Sequence, residues 1–162
     1  MNISASSDYA VRALLYIAHR SSAKQNRGKE LRVSTQEISE DEDISLKYLE
    51  SILRKLRQAG IIESFRGPGG GHALSRNPNE ISIADVIRAI DGPLAAVRGE
   101  RPESVEYSGQ SKHLKKVWIA VRSSLRDILE EVTLAQVLSG NFPARVTRAL
   151  SEPGAWSRRA RS

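Results

Sequence analysis

The side chains with chemistry to offer in this sequence are few in kind. Three histidines, His19, His72 and His113, stand far apart with no i, i+4 or HxxxH spacing, and the chain has no cysteine. That removes disulfides, thiolate metal ligation and sulfur nucleophiles together, and leaves isolated imidazoles where a metal site would need a cluster. No metal and no cofactor are expected. Glu100, Glu103 and Glu106 precede His113, but no nucleophile stands at a recognisable spacing from a base, so the sequence does not describe an enzyme. The run RGPGGGH, residues 66–72, is neither GxxxxGK[ST] nor GxGxxG, and it joins two strand-like segments, which excludes a nucleotide cradle. What remains is a polar set at helical spacing, Lys47, Glu50, Ser51 and Arg54. Lys and Arg can reach guanine acceptors or phosphates, and Glu can accept from a cytosine amino group.

These residues need elements to hold them. Val11, Leu14, Leu15 and Ala18 recur at i, i+3, i+4 and i+7, which predicts a first helix from Asp8 to about Arg20. The polar stretch 24–30 reads as a loop. Ser34 and Glu37 have capping-box spacing for a short second helix that ends in the acidic turn Glu40–Asp43. Ser45 is placed to cap a third helix, whose positions Leu46, Leu49, Ile52, Leu53 and Leu56 share one face and which Gly60 closes. Lys47, Glu50, Ser51, Arg54 and Gln58 fall on the opposite face. Residues 61–65 and 72–75 read as two short strands around the glycine run. Ser82 and Asp85 cap a fourth helix bearing Ile83, Val86, Ile87 and Ile90, stopped by Asp91-Gly92-Pro93. After a loop over 98–112, Leu114, Trp118, Val121, Leu125, Ile128, Val132 and Ala135 are spaced 4, 3, 4, 3, 4, 3, an a/d heptad seam on one long helix ended by Gly140.

The fold class is therefore mainly α with a small β-hairpin wing: a winged helix-turn-helix followed by a long helix. In that geometry the third helix lies in the major groove. Arg66, at the edge of a turn with almost no side chains, can approach a minor groove closely.

Charge supports this reading only after it is divided. The 162 residues carry a net +6, with 40% hydrophobic and 27% charged residues, and no apolar run reaches the roughly 18 residues of a membrane span. The start MNISASSDYA lacks the basic and apolar regions of a secretory signal, so a cytoplasmic protein is expected. Residues 1–92 hold 13 basic and 12 acidic side chains, residues 93–140 hold 7 and 6, and residues 141–162 hold 5 and 1. Most of the excess lies in the last segment, where Pro143, Pro153 and Gly154 lead us to expect a frayed, disordered basic tail. The nearly neutral first segment sorts its charges, with Glu37 and Glu40–Asp43 before the turn and Lys47, Arg54, Lys55, Arg57 and Arg66 after it.

The stretches YAVRALLYIA, ISLKYLESILRKLRQAGII, RGPGGGHALSR, ISIADVIRAIDGPLAAVRG and TLAQVL together resemble the Rrf2 family of bacterial transcriptional regulators, over roughly residues 1–139. The resemblance implies a homodimer paired through the long carboxyl-terminal helix, with one winged domain from each subunit reading half of a palindromic operator in double-stranded DNA. It implies that Lys47, Tyr48 and Glu50 lie at the groove-reading end and that Arg66 serves the minor groove. Many members hold an iron–sulfur cluster on three cysteines after the IRAIDGPL segment. Here the first of those positions is Gly99 and no cysteine follows, so the chain is similar to the cluster-free branch. That branch includes repressors of cysteine and sulfur-assimilation genes, one type of which responds through a complex with a cysteine-biosynthetic enzyme. Ser6 stands where the family often has lysine, and residues 24–30 are an insertion.

From these readings the chain divides into a winged domain (1–92), a sensor-type loop or linker (93–111), a dimerisation helix (112–140) and a tail (141–162). The expected DNA-binding set is Ser34, Thr35 and Ser45 at helix starts, Lys47, Tyr48, Glu50, Ser51 and Arg54 on the third helix, and Arg66, Gly67, Gly69, Gly70 and His72 on the wing. Leu114, Trp118, Val121, Leu125, Ile128 and Val132 are expected to pair the subunits. Residues 94–111, with Arg98, Arg101, Glu103 and Tyr107, either bind a small-molecule effector or partner enzyme or serve as a plain linker. The alternative function is a regulator that acts by protein contact through the heptad helix and tail, with DNA binding secondary.

Overall fold

The computed structural model describes residues 2–24 and 32–157. The polar loop expected at 24–30 lies outside the described residues from position 25 on, as do residues 158–162 of the tail. The elements are α1 (Ala5–Lys24), α2 (Thr35–Glu42), α3 (Leu46–Gln58), β1 (Ile62–Phe65), β2 (Gly71–Leu74), α4 (Ile83–Asp91), α5 (Leu114–Leu129), α6 (Leu134–Ser139) and α7 (Ala144–Ser151).

Helix α1 starts before the expected Asp8, and polar side chains account for it. Ser7, buried, donates to Asp91 Oδ2 at 2.7 Å, and Ser4 donates to the same oxygen at 2.6 Å while accepting from the Ser7 amide. The first turn of α1 is thus tied to the last residue of α4. On α2 the capping box forms as its spacing predicts: the Glu37 amide donates to Ser34 Oγ at 3.2 Å, and the Ser34 amide donates to Glu37 Oε2 at 2.8 Å. Asp43 turns the chain with φ 51°, and the Ile44 amide donates to Ser39 O at 3.1 Å.

Helix α3 buries Leu49, Ile52, Leu53 and Leu56 against α1, α2 and α4. Leu46, expected on this buried face, is 46% exposed, whereas Leu49 three residues on is fully buried. Ser45 occupies the N-cap position but its side chain makes no capping hydrogen bond. Lys55 Nζ donates to Ile90 O at 3.0 Å and so fastens α3 to the end of α4. The core continues through Ala10, Ala13, Leu14 and Ile17 of α1, Ile38 of α2, Ile61 and Ile62 at the hairpin, Ile81, and Val86 and Ile90 of α4.

The hairpin pairs antiparallel, Ile62 with Leu74 through Phe65 with Gly71. On its other edge β2 pairs with Val33: the Val33 amide donates to His72 O at 2.9 Å and the His72 amide to Val33 O at 2.8 Å. A Cβ at Gly71 would stand 2.7 Å from Val33 O, so only glycine permits that approach.

The last third departs from the expected single long helix. Helix α5 stops at Leu129, and a separate helix α6 begins at Leu134. Thr133-Leu-Ala-Gln136 is a capping box, with the Gln136 amide donating to Thr133 Oγ1 at 3.3 Å and the Thr133 amide to Gln136 Oε1 at 2.9 Å. The backbone at the break pairs with the strand-like residues before α4: the Ile83 amide donates to Val132 O at 2.9 Å and the Leu134 amide to Ile81 O at 3.0 Å. Leu134 is fully buried in the winged-domain core and Val132 is 7% exposed. Val132, expected on the seam, is therefore buried; the helix that carries Leu114, Trp118, Val121, Leu125 and Ile128 ends at Leu129, and Leu134 packs into the core formed by residues 1–92.

The tail is corrected too. Residues 144–151 are helical, Arg145 pairs with Asp127 of α5 at 2.6 Å, and Trp156 Nε1 donates to Leu150 O at 3.0 Å. Pro143 sits at the N-cap, where a missing amide costs nothing to the helix.

Leu134→Ala is expected to destabilise the fold by about 3 kcal/mol, the usual cost of a truncated core leucine. Urea unfolding would check it; a change below about 0.5 kcal/mol would separate α6 from the winged core.

Candidate nucleic-acid interface

Burying one edge of α3 turns the other outward. Lys47, Glu50, Ser51 and Arg54 are exposed, as are Arg57 one turn further on and Arg66 on the wing. Among the described residues Lys47, Arg54, Arg57 and Arg66 form no ion pair or side-chain hydrogen bond. The contrast with α1 is direct: Arg12 meets Glu42 at 3.0 Å and Arg20 meets Glu37 at 3.6 Å, while Tyr16 donates to Asp41. Glu37, Asp41 and Glu42 are thus engaged from α1, while Lys47, Arg54, Arg57 and Arg66 after the turn keep their charged ends unpaired among the described residues.

Four of the expected contact residues, Ser34, Thr35, Tyr48 and His72, spend their side chains within the protein. Ser34 is committed to the α2 capping box. His72 uses both ring nitrogens, with Nε2 3.0 Å from Thr35 Oγ1 and Nδ1 2.9 Å from Ser64 Oγ. This imidazole links the start of α2, β1 and β2, and so fixes the wing against the helix-turn-helix. Burial, followed by the nearby Arg57 charge, holds its pKa below the ordinary histidine value. Tyr48 is 38% exposed; its hydroxyl bonds Ser6 Oγ and its ring meets Tyr9 edge-on at 5.7 Å between centroids. Ser6 thereby steadies the exposed start of α3.

At the wing tip the Gly70 amide donates to Gly67 O at 2.8 Å. A Cβ on Gly70 would lie 2.8 Å from Gly67 O and closer still to Phe65 O, so the turn that presents Arg66 requires glycine there. Sequence reasoning missed Arg32, whose guanidinium lies 3.6 Å over the Phe65 ring at the turn end of β1. An isolated arginine beside a polar stretch carries no periodic signal, and only the fold brings it to Phe65. Arg54 and Arg57 of α3, with Ser64 and His72 of the hairpin, Thr35 of α2 and Glu50, line a cavity of about 250 Å³ between α3 and the hairpin.

The segment 94–111 packs on α5 through buried Pro102 and Val105. Arg98, at φ 55°, stacks over Tyr107 at 5.8 Å. Glu103 pairs with Arg122 and Glu106 with Lys115 at 2.6 Å. Glu103 is held below the usual carboxylate range by its own backbone amide and then by Arg122. No hydrogen bond or ion pair among the described residues joins the Arg98–Tyr107 pair to Glu103, whereas the Arg101 charge acts on Glu103 and helps to lower its pKa.

The seam residues of α5 divide. Val121 and Ile128 are exposed, with Val117 beside them, whereas Leu114, Trp118 and Leu125 are half-buried.

A profile of the family Rrf2, iron-dependent transcriptional regulator, matches residues 3–140. The HTH-type transcriptional regulator Rv1287 of Mycobacterium tuberculosis is 41% identical over 148 residues, covering 91% of this chain and 88% of that one. The HTH-type transcriptional regulator IscR of Pectobacterium atrosepticum is 34% identical over 139 residues, covering 86% and 80%. Among solved structures, CymR (YrzC), the global cysteine regulator of B. subtilis, superposes with a TM-score of 0.69 at 28% identity, covering 87% of this chain and 98% of that one. IscR of T. potens gives 0.65 at 30% identity, covering 86% and 88%. The iron in the family description finds no fitting donor set here. The chain has no cysteine, the carboxylates Glu103 and Glu106 are taken by cations, and no three His, Asp or Glu side chains among the described residues converge as a metal site.

The lowered pKa of His72 means that the unfolded chain binds the extra proton near pH 6, so stability is full above the unfolded pKa of about 6.5 and falls as pH drops through the folded value. Thermal melts at pH 7.5 and 5.5 should show this loss in the wild type and a smaller loss in His72→Gln; equal losses would remove His72 from the linkage.

Proposed function

The chain belongs to the Rrf2 family of helix-turn-helix transcriptional regulators, and from that premise we propose that it is a homodimeric, sequence-specific DNA-binding repressor without an iron–sulfur cluster, responding to a metabolite or partner protein of cysteine or sulfur metabolism. The observation that carries the DNA reading is the pairing of surfaces around one cavity. The unpaired cations of α3 and the glycine-tipped wing flank the same opening, so a duplex that seats α3 in its major groove meets Arg66 at the neighbouring minor groove. Lys47, Glu50, Ser51 and Arg54 then face base edges and phosphates, and Ser34, Thr35 and His72 hold the reading elements in place. Half-site spacing on a palindrome follows from twofold symmetry.

The exposed stripe of Val117, Val121 and Ile128 supports pairing through α5, since monomers rarely leave such a line of aliphatic side chains in water. The stripe is narrower than the expected seam, because Leu114, Trp118 and Leu125 also pack within the subunit. Cysteine or sulfur control is supported by the likeness to CymR, the global cysteine regulator of B. subtilis, while the absence of cysteine supports only the lack of a thiolate-held cluster. Residues 94–111, packed on the same helix, are the segment through which a signal would reach the dimer.

Val121→Asp is expected to give monomers in sedimentation, and persisting dimers would place the interface elsewhere. Genome-wide capture of bound DNA should enrich palindromic sites upstream of sulfur-assimilation genes for the wild type, with enrichment lost in Arg66→Ala and in Lys47→Ala. Equal enrichment in both variants would overturn the contact roles of Arg66 and Lys47, absence of enrichment for the wild type would overturn the DNA assignment, and enrichment at unrelated genes would overturn the sulfur assignment alone.

A further inference from the structure

We propose that the cavity between α3 and the hairpin is a seat for a phosphoryl oxyanion and that a duplex backbone phosphate fills it, which rests on the DNA-binding reading of this face. At about 250 Å³ the cavity is below the usual range for small-molecule sites. Its lining is polar apart from Leu53, so its occupant is a small polar group.

The formal charges of the lining select an anion. Arg54 and Arg57 outnumber Glu50, and neither guanidinium is paired among the described residues. Planar guanidinium forks match the tetrahedral oxygens of phosphate, offering parallel donors that a lysine cannot. The hydroxyls add a further donor by simple accounting. A neutral imidazole has one N–H and one bare nitrogen. One of Thr35 and Ser64 must therefore donate to His72, while the other accepts from it and keeps its own hydroxyl hydrogen unspent. The seat thus presents two guanidinium forks and one free hydroxyl donor, with a single carboxylate opposing them.

The position joins the two reading elements. Arg54 and Arg57 come from α3, Ser64 and His72 from the hairpin and Thr35 from the start of α2. A phosphate held there fixes the angle between helix and wing, so the contact sets docking geometry and carries no base information. An anion in the seat also favours the imidazolium of His72, whose charged neighbours on α3 are Glu50, Arg54 and Arg57. His72 is accordingly a local reporter of occupancy, and with three histidines in the chain its ring signals can be assigned by substitution.

The experiment pairs anisotropy on a short random-sequence duplex with NMR of the His72 ring, using the full chain. Arg57 is exposed, so Arg57→Ala should leave the melting transition in place. It should weaken duplex binding roughly fivefold to tenfold and lower the slope of log K against log salt by about one, and Arg57→Lys should restore the slope but only part of the affinity. Duplex should move the His72 signals of the wild type and not those of Arg57→Ala. If inorganic phosphate moves them and the duplex slope is unchanged in Arg57→Ala, the seat stands and its source is a free phosphate. If the wild type binds duplex, Arg57→Ala is indistinguishable from it, and both ligands leave His72 unmoved, the seat is overturned while the DNA reading survives. Failure of the wild type to bind any duplex overturns the DNA reading instead.

Discussion

The burial of one edge of α3 is the constraint on which the rest of the structure depends. Leu49, Ile52, Leu53 and Leu56 must leave water, and each is worth roughly 1.5–3 kcal/mol in doing so. Once they pack on α1, α2 and α4, the rotation of the helix is fixed, and the residues about 180° away have nowhere to go but outward. Lys47, Glu50, Ser51 and Arg54 therefore owe their exposure to the aliphatic side chains on the other face of the same helix. Lys55 completes the fixation, because its ammonium holds the α4 carbonyl at Ile90 and is not part of the outward set.

The wing follows from a second, polar constraint. A two-stranded hairpin of four residues a side is not stable alone. Here β2 gains another backbone partner in Val33, and His72 reaches from β2 to hydroxyls on either side. The half-buried imidazole thus does the work of a third strand, linking wing and helix-turn-helix into one rigid reading head. The same packing leaves a cavity edged by unpaired arginines, so the stability of the wing and its electrostatic character have a common origin.

The carboxyl-terminal part shows how a local signal can outrank a regular pattern. Seven apolar residues at heptad spacing argue for an unbroken helix, yet Thr133-Leu-Ala-Gln136 offers a capping box and Val132 and Thr133 are β-branched residues suited to the extended backbone they adopt against Ile81–Ile83. Satisfying those backbone groups and burying Leu134 in the winged core end α5 at Leu129. The consequence is mechanical: α5 is anchored to the reading head at one end by this return and gripped along its side by the 94–111 segment through Arg122–Glu103 and Lys115–Glu106. The 94–111 segment is thus in direct contact with the helix that carries the exposed apolar stripe.

What the amino-acid sequence determined by itself was everything governed by short-range periodicity and composition: the amphipathic α3, the capping boxes at Ser34 and Ser82, the glycine-tipped hairpin, and the lack of cysteine. Helical period, cap spacing and turn chemistry act over a few residues and can be read from them directly. Tertiary structure alone decided which polar side chains were free. Ser34, Thr35 and His72 look like surface donors in the sequence, but their partners are set by where α2 meets the hairpin. Leu46 looks like core and is exposed, Val132 looks like seam and is core, and Arg32 gains its place only because Phe65 lies beneath it. Each of these depends on contacts between residues distant in the chain, which no local spacing encodes.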